Sequence, residues 1–465
     1  MKHNLKIEPY DYQKEGITFG LRNRRILIGD EPGLGKTLQS IGIVDTANAY
    51  PCLVICPSSL KINWKREFEK FTDKKALVLD NSTRATYPYL LQMKMFHTAV
   101  VNYESLKKYF VFDIKQKKFR LSDVVFTPAI RMFRSIIIDE SHRVKDASAQ
   151  QTIFTKGISI GKEYIILLSG TPVVNRPQDI VTQLSILNRL NDFGGKQSFI
   201  DMYGEGDNLR ELSQRLYESI MIRREKRNVL KQLPDKTRVD IVVDISNREE
   251  YNLAVADLAA YLKEYKGCSD LEVRRKMRMK ALVQFMNLRS LSAKGKVSAA
   301  IDVANMFLES GKQLIIFCSY HEIVDELKRA YPSAVTVTGR DKGIDKQISV
   351  DKFQRGEAQI IICSIKAAGV GLTLTASSTV LFIEFPWTYA DCLQCEDRAH
   401  RIGQKDNVTC YYMLGDNTID ARLYNLIHEK RSIANQIMAT SSDDIPTDEV
   451  YFNELCNSLF NITNL

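Results

Sequence analysis

A lysine and a threonine close the segment GDEPGLGKT, Gly29–Thr37, which lies between an apolar, strand-like run and a helical pattern, LQSIGIVDTA. In that setting the backbone N–H groups of a glycine-rich turn and the N-terminus of the following helix cradle phosphate oxygens. Lys36 then reaches the β- and γ-phosphates and Thr37 a Mg2+ ion. The strict spacing of such loops fails by one place, because Asp30 stands where the first glycine belongs; a plain glycine-rich turn is the bland alternative. Further along, SIIIDESH (Ser135–His142) ends an apolar strand in two carboxylates. Asp139 at the strand tip can hold Mg2+ through water, and Glu140 can polarise an attacking water. An Asp-Glu pair also ends strands by chance, but in the same α/β lobe as Lys36 it points to a nucleotide triphosphatase. LLSGTP (Leu167–Pro172) adds Ser169 and Thr171, which can bond the Asp-Glu loop; alone it is a polar turn.

The second half carries a complementary set. CSIKAAGVGLTL (Cys363–Leu374) follows a strand, and its Gly369 and Gly371 allow close backbone approach to a ligand. QCEDRAHRIGQ (Gln394–Gln404) places Arg398 and Arg401 three residues apart, on one face if the segment is helical. Two such arginines next to a phosphate site act as arginine fingers; without one they are a surface ion-pair network. Trp387, one of two tryptophans, is core or a stacking platform for a nucleic-acid base. Cys392 and Cys395 form a lone CxxC with no accompanying second pair or His cluster, which reads as structural rather than as zinc binding.

The elements that must position these groups come in two series. Arg24–Gly29, Cys52–Cys56, Thr98–Val101, Ser135–Asp139 and Tyr164–Ser169 form the first, and Gln313–Ser319, Ala334–Val337, Gln359–Ser364 and Thr379–Glu384 the second. Continuous Val/Ile/Leu runs suit parallel strands covered by helices on both faces. The fold class expected is α/β: two doubly wound parallel-sheet lobes with a mostly helical region between them. Lobe one is expected over 1–235, including the start of the insertion; the helical insertion or linker over 236–296; lobe two over 297–440; and a tail over 441–465. Lys and Arg recur in the middle region, as at Arg223, Arg224, Lys226 and Arg227, forming either a solvated face or a phosphate-contacting surface. KQKKFR (Lys115–Arg120) reads as a basic hairpin or loop inserted in lobe one. A length of 465 residues with 44% hydrophobic and 26% charged residues excludes a disordered or disulfide-stapled chain. Nine unpatterned cysteines suit a reducing compartment, no run is apolar enough to span a membrane, and the net charge of +9 suits a polyanionic partner.

Taken in order, GDEPGLGKT, CPSSLKINWKREFEKF, DESHRVKD, LLSGTPVVNRPQDI, IMIRREKRNVLKQLPDK, IIFCSY, AAGVGLTLTASS and QCEDRAHRIGQ resemble the Swi/Snf-type ATPases of helicase superfamily two. The stretches MIRREKRNVLKQLPDK and KALVQFMNLRSLSAKGK are most similar to the annealing-helicase (HARP-type) branch. The resemblance spans about residues 8–435 and implies two RecA-like lobes, ATP and Mg2+ as cofactors, and double-stranded or forked DNA as partner. It implies a monomer on DNA, a further protein partner being open, and no membrane. It implies an adenine contact for Gln13 and an acidic loop residue at Asp30. Gly33, Gly35, Lys36 and Thr37 become the phosphate loop, with Thr37 and Asp139 toward Mg2+. Glu140 becomes the water-activating group and Arg398 and Arg401 the fingers, Arg401 first, while Gly371 and Gln404 join the nucleotide site from lobe two. Pro32 departs from the methionine usual in that family. A bare motor of this kind resembles versions carried by bacteria and bacteriophages, which implies a cytoplasmic location there and a nuclear one in a eukaryote. The activity implied is ATP-driven tracking on DNA, with remodelling, reannealing or fork processing as its outcome. Alternatives are a strand-separating DNA or RNA helicase, a non-catalytic nucleic-acid clamp, and the motor subunit of a restriction or defence assembly.

Overall fold

Short Val/Ile/Leu runs become strands because their β-branched side chains pack on both faces of a pleated sheet. The computed structural model describes residues 5–424 except 145, 171–178, 205–207, 231, 268–270, 369–371 and 387–388. Two units are present, meeting in the chain between residues 231 and 232. The first holds β1 (Arg25–Ile28), β2 (Cys52–Cys56), β3 (Ala76–Val78), β4 (Thr98–Asn102), β5 (Val111–Ile114), β6 (Val124–Phe126), β7 (Ser135–Asp139), β8 (Tyr164–Leu168) and β9 (Met221–Ile222). Seven of these form one parallel sheet in the order β3-β4-β2-β7-β8-β1-β9. β5 and β6 stand apart as an antiparallel pair, so the basic Lys115–Arg120 segment is the loop of a hairpin.

The second unit contains β10 (Lys236–Val243), β11 (Leu314–Cys318), β12 (Val335–Val337), β13 (Ile360–Ser364), β14 (Thr379–Phe382) and β15 (Val408–Gly415). They form a parallel sheet in the order β10-β15-β14-β11-β13-β12. Alternate residues of each central strand feed two different hydrophobic clusters. Ile315, Phe317, Ile361 and Cys363 pack with Cys392, Cys395 and Ala399 of helix Tyr389–Ala399. Leu314, Ile316, Ile360 and Ile362 pack with Ala300 and Ala304 of helix Val297–Glu309. That two-faced burial is the doubly wound arrangement. Cys392 and Cys395 are buried free thiols on a helix, pushed well above the usual thiol range by burial.

The stretch expected to be a helical linker from residue 236 opens instead with a strand. The alternation in KTRVDIVV suits a half-buried edge, and β10 pairs with β15 along its whole length. Two helices, Arg248–Gly267 and Leu271–Gly295, follow it and pack on each other. β10 also anchors helix Tyr389–Ala399. Arg238 donates through Nε and Nη2 to the fully buried Glu396 at 2.5 and 2.7 Å, and the Tyr412 hydroxyl donates to the same carboxylate at 2.7 Å. Lys236 lies 2.7 Å from Glu396 and 3.3 Å from Asp397. Burial alone would raise the Glu396 carboxyl; the charges of Lys236 and Arg238 outweigh it and hold the group below the usual range. Burial likewise opposes the charged form of Lys236, and Asp397 and Glu396 overcome it, so its ammonium is held above its ordinary value.

Breaking a buried pair leaves an uncompensated charge. Glu396→Gln is therefore expected to cost about 3–5 kcal/mol in the unfolding of the second unit, measured by denaturant titration of the full chain. A depressed carboxyl contributes stability above the unfolded value of about 4.3 and loses it as pH falls through the folded value. The deficit of the variant should accordingly shrink as pH is lowered through that range.

Candidate functional site

Parallel register brings distant residues of the first unit to one edge. Ile28 lies opposite Leu168 and Ile222, and Leu168 lies opposite Asp139. The chain therefore leaves the sheet at the same level at Gly29, Glu140, Ser169 and Arg223. In open parallel sheets this carboxyl edge is where ligands bind.

After β1 the loop turns through Gly33 and Gly35, at φ 90° and 75°, into helix Lys36–Thr46. A side chain at Gly35 would be strained by its φ, and its Cβ would lie 2.5 Å from Gln13 Nε2. Gln13 is buried and locks onto the loop: Nε2 donates to the Leu34 carbonyl at 3.2 Å, and Oε1 accepts from Tyr10 N at 3.0 Å. The Tyr12 hydroxyl donates to the same Leu34 carbonyl at 3.1 Å. Asp30 is placed differently from a ligand contact. Its fully buried carboxylate accepts from Arg224 Nε and Nη2 at 3.0 and 2.6 Å and from Gln39 Nε2 at 2.9 Å, so it holds the loop from behind. Its backbone carbonyl accepts from Lys36 Nζ at 2.6 Å. Thr37 opens the helix beside Lys36.

Asp139 is held at three points. Trp64 Nε1, from helix Lys61–Phe71, donates to Oδ2 at 2.9 Å; the Glu140 N–H donates to Oδ1 at 2.9 Å; and the Tyr103 hydroxyl donates to the backbone carbonyl at 2.6 Å. Burial, and then the adjacent Glu140 charge, push the Asp139 carboxyl up to about 7 against the opposing pull of the Trp64 indole and Lys36. Glu140 adopts the left-handed region at φ 51°, uncommon for a residue with a Cβ. His142 Nδ1 lies 3.4 Å from Glu140 Oε2 and 3.3 Å from Ser169 Oγ, linking the β7 and β8 ends. Thr171, the other polar group expected there, lies outside the described residues. Trp64, Tyr103, His142 and Gln39 are residues that sequence reasoning left unassigned, and Arg224, read as part of a solvated or phosphate-contacting basic run, is instead turned inward onto Asp30. A lone tryptophan in the helix after CPSSL was the one visible signal.

In the second unit Arg398 and Arg401 do not share a helix face. The helix ends at Ala399, and Arg401 lies in the following turn, where the Gln404 N–H donates to its carbonyl at 3.0 Å. The two guanidinium groups still converge: Nη1 of Arg401 donates to the Leu372 carbonyl at 2.9 Å and Nη1 of Arg398 to the same oxygen at 3.4 Å. Arg398 is buried and its Nε also donates to Gln394 O at 2.8 Å, whereas Arg401 is half-buried. Gln404 is spent on local structure, donating to Ser377 and Ala399 carbonyls at 3.0 and 3.2 Å and accepting from the Lys405 and Asp406 N–H groups. Gly369, Gly371 and Trp387 lie outside the described residues.

Comparison with known proteins agrees with this layout. Residues 12–294 match the SNF2-related domain, and residues 295–403 match the helicase conserved C-terminal domain. A Caenorhabditis elegans SWI/SNF-related matrix-associated actin-dependent regulator of chromatin subfamily A-like protein 1 homolog is 29% identical over 463 residues, covering 95% of this chain and 64% of its own length. The human DNA annealing helicase and endonuclease ZRANB3 is 30% identical over 480 residues, covering 96% of this chain and 42% of its own. The chain thus spans only part of the relatives it matches. The Sulfolobus solfataricus SWI2/SNF2 ATPase core solved in complex with dsDNA aligns over all of this chain and 99% of its own, at 21% identity and a TM-score of 0.44. Since the SNF2-related match alone takes in more than half of the sequence, this chain belongs to that family.

Proposed function

We propose that the chain hydrolyses ATP and uses the cycle to track along double-stranded or forked DNA. The observation that supports it most is the level register of β1, β7 and β8, which gathers Lys36, Asp139, Glu140 and Ser169 at one edge. In this reading the turn through Gly33 and Gly35 receives the phosphates on backbone N–H groups, and Lys36 moves from the Asp30 carbonyl onto the β- and γ-phosphates. Gln13 ties the adenine side of the site to the same loop. Thr37 and Asp139 offer the hard oxygen donors that Mg2+ takes, and that ion, when bound, neutralises charge across the phosphates. Glu140 orients the attacking water and accepts its proton, and His142 reports the state of that carboxylate to Ser169. Arg401, the more exposed of the two arginines, meets the developing charge on the transferred phosphoryl group, while Arg398 steadies the Leu372 segment. DNA is gripped by its backbone, so sequence preference is slight and binding weakens with salt. The similarity to proteins named as an annealing helicase and a chromatin regulator supports DNA as the track.

The test is the steady-state ATPase rate with no nucleic acid, single-stranded DNA, duplex DNA, forked DNA and RNA. Stimulation by duplex or fork is expected; stimulation only by single strands or RNA would replace tracking on duplex with strand separation. Glu140→Gln should bind ATP in an equilibrium assay yet turn it over about 10²–10⁴-fold more slowly. Normal turnover would remove its water-orienting role. Arg401→Ala should keep DNA binding and lose most of the stimulated rate, on the order of 10³-fold or more. An unchanged rate would move the finger role to Arg398.

A further inference from the structure

The hairpin of β5 and β6 is unused by the nucleotide chemistry, yet it is built with care. Its inner side is fixed to helix Gln150–Ser159. Phe119 stacks on Phe154 with ring centroids 5.7 Å apart and planes 11° apart, and Val124 is buried. Phe126 presses so closely on Gly157 that a Cβ there would lie 2.1 Å from the ring, and 2.9 Å from Leu121. Only glycine permits that approach, so the hairpin is seated as a rigid body.

The outer side is the reverse in character. Val111 pairs with Phe126 but Asp113 pairs with Val125, so Phe112 is the extra residue of a bulge. A bulge re-aims a side chain, and here it leaves a phenylalanine ring 79% exposed. The adjoining loop carries Lys115, Lys117, Lys118 and Arg120, all exposed, and among the described residues no ion pair involves any of the four. Between Lys107 and Phe126 there are six basic and two acidic residues. One of the acids, Asp123, is taken up by the loop itself, accepting from Gln116 Nε2 at 2.7 Å and Arg120 N at 2.8 Å. Exposing a large ring beside a cluster of cations gains nothing for folding. A nucleic-acid strand with unpaired bases satisfies both features: its phosphates meet the ammonium groups, and a base face covers the ring. Duplex DNA offers the phosphates but hides its base faces in the stack. Three residues of extended chain, about 10 Å, separate Phe112 from Lys115, which lets one strand engage both.

We infer that this hairpin is a second DNA-binding element, one that holds the single-stranded arm where a duplex opens, with Lys115, Lys117 and Lys118 on its phosphates and Phe112 stacked on an unpaired base. The inference rests on the DNA-tracking reading above. It is tested by measuring equilibrium binding of the full chain to a blunt duplex and to a fork with single-stranded arms, across a salt series, together with DNA-stimulated ATPase. Two variants are compared with the parent: Phe112→Ala and the triple Lys115→Ala/Lys117→Ala/Lys118→Ala. Phe112→Ala should weaken fork binding by about 5- to 150-fold and leave duplex binding unchanged. The triple variant should flatten the log–log salt dependence of fork binding by about 2. Both should retain the parent's ATPase rate without DNA. A parent chain that DNA stimulates, with variants that match it in fork affinity and salt slope, overturns the hairpin assignment and leaves the tracking reading standing. Equal loss on fork and duplex in Phe112→Ala overturns the base-stacking role. A parent chain that neither DNA binds nor stimulates overturns both.

Discussion

Parallel register is the constraint from which the first unit follows. In an all-parallel sheet every strand points the same way, so all the carboxyl ends meet at one edge and all the crossovers return behind it. With Ile222, Ile28, Leu168 and Asp139 in line, four separate chain segments emerge side by side. A slip of one residue in β7 would turn Asp139 to the other face and break the link that His142 makes between Glu140 and Ser169. Ile136, Ile137 and Ile138 are all fully buried, so the polar end of the strand marks the register, where Trp64 and Tyr103 bond Asp139.

Each unit also uses a buried ion pair to tie together segments far apart in the chain. In the first, Arg224, just past β9, grips Asp30 and Gln39 and lies over the Tyr12 ring at 5.2 Å. In the second, Lys236 and Arg238 grip Glu396 and Asp397. Buried pairs add little net stability over an apolar packing, but a wrong partner is severely penalised. Here both lie beside the stretch that connects the units, at residues 224 and 236 of the sequence. Each ties one end of that connection to its own unit.

The strands, the two-lobed α/β class and the groups at Lys36, Asp139 and Glu140 were legible because each motif is contiguous and its context, strand before and helix after, is local. What escaped was set by long-range pairing. Trp64 reaches Asp139 across 75 residues and Arg224 reaches Asp30 across 194, and no local pattern encodes either meeting. Asp30 reads in the sequence only as an acidic loop residue for the same reason, since its partner arrives from the far end of the unit. The helix carrying Arg398 stops two residues short of Arg401, and the arginines meet at Leu372 through the turn. β10 looked like part of a helical linker because the charges of KTRVD masked an alternation that only its edge position explains.

The indole that fixes Asp139 also gives the molecule an optical voice. Trp64 is one of two tryptophans, is almost wholly buried, and has its N–H on the carboxylate at the centre of the site. A charge beside an indole shifts its emission, so the Asp139 carboxylate acts on that of Trp64. A change in the charge or orientation of Asp139 is therefore expected to alter the Trp64 share of the intrinsic fluorescence, with no label attached.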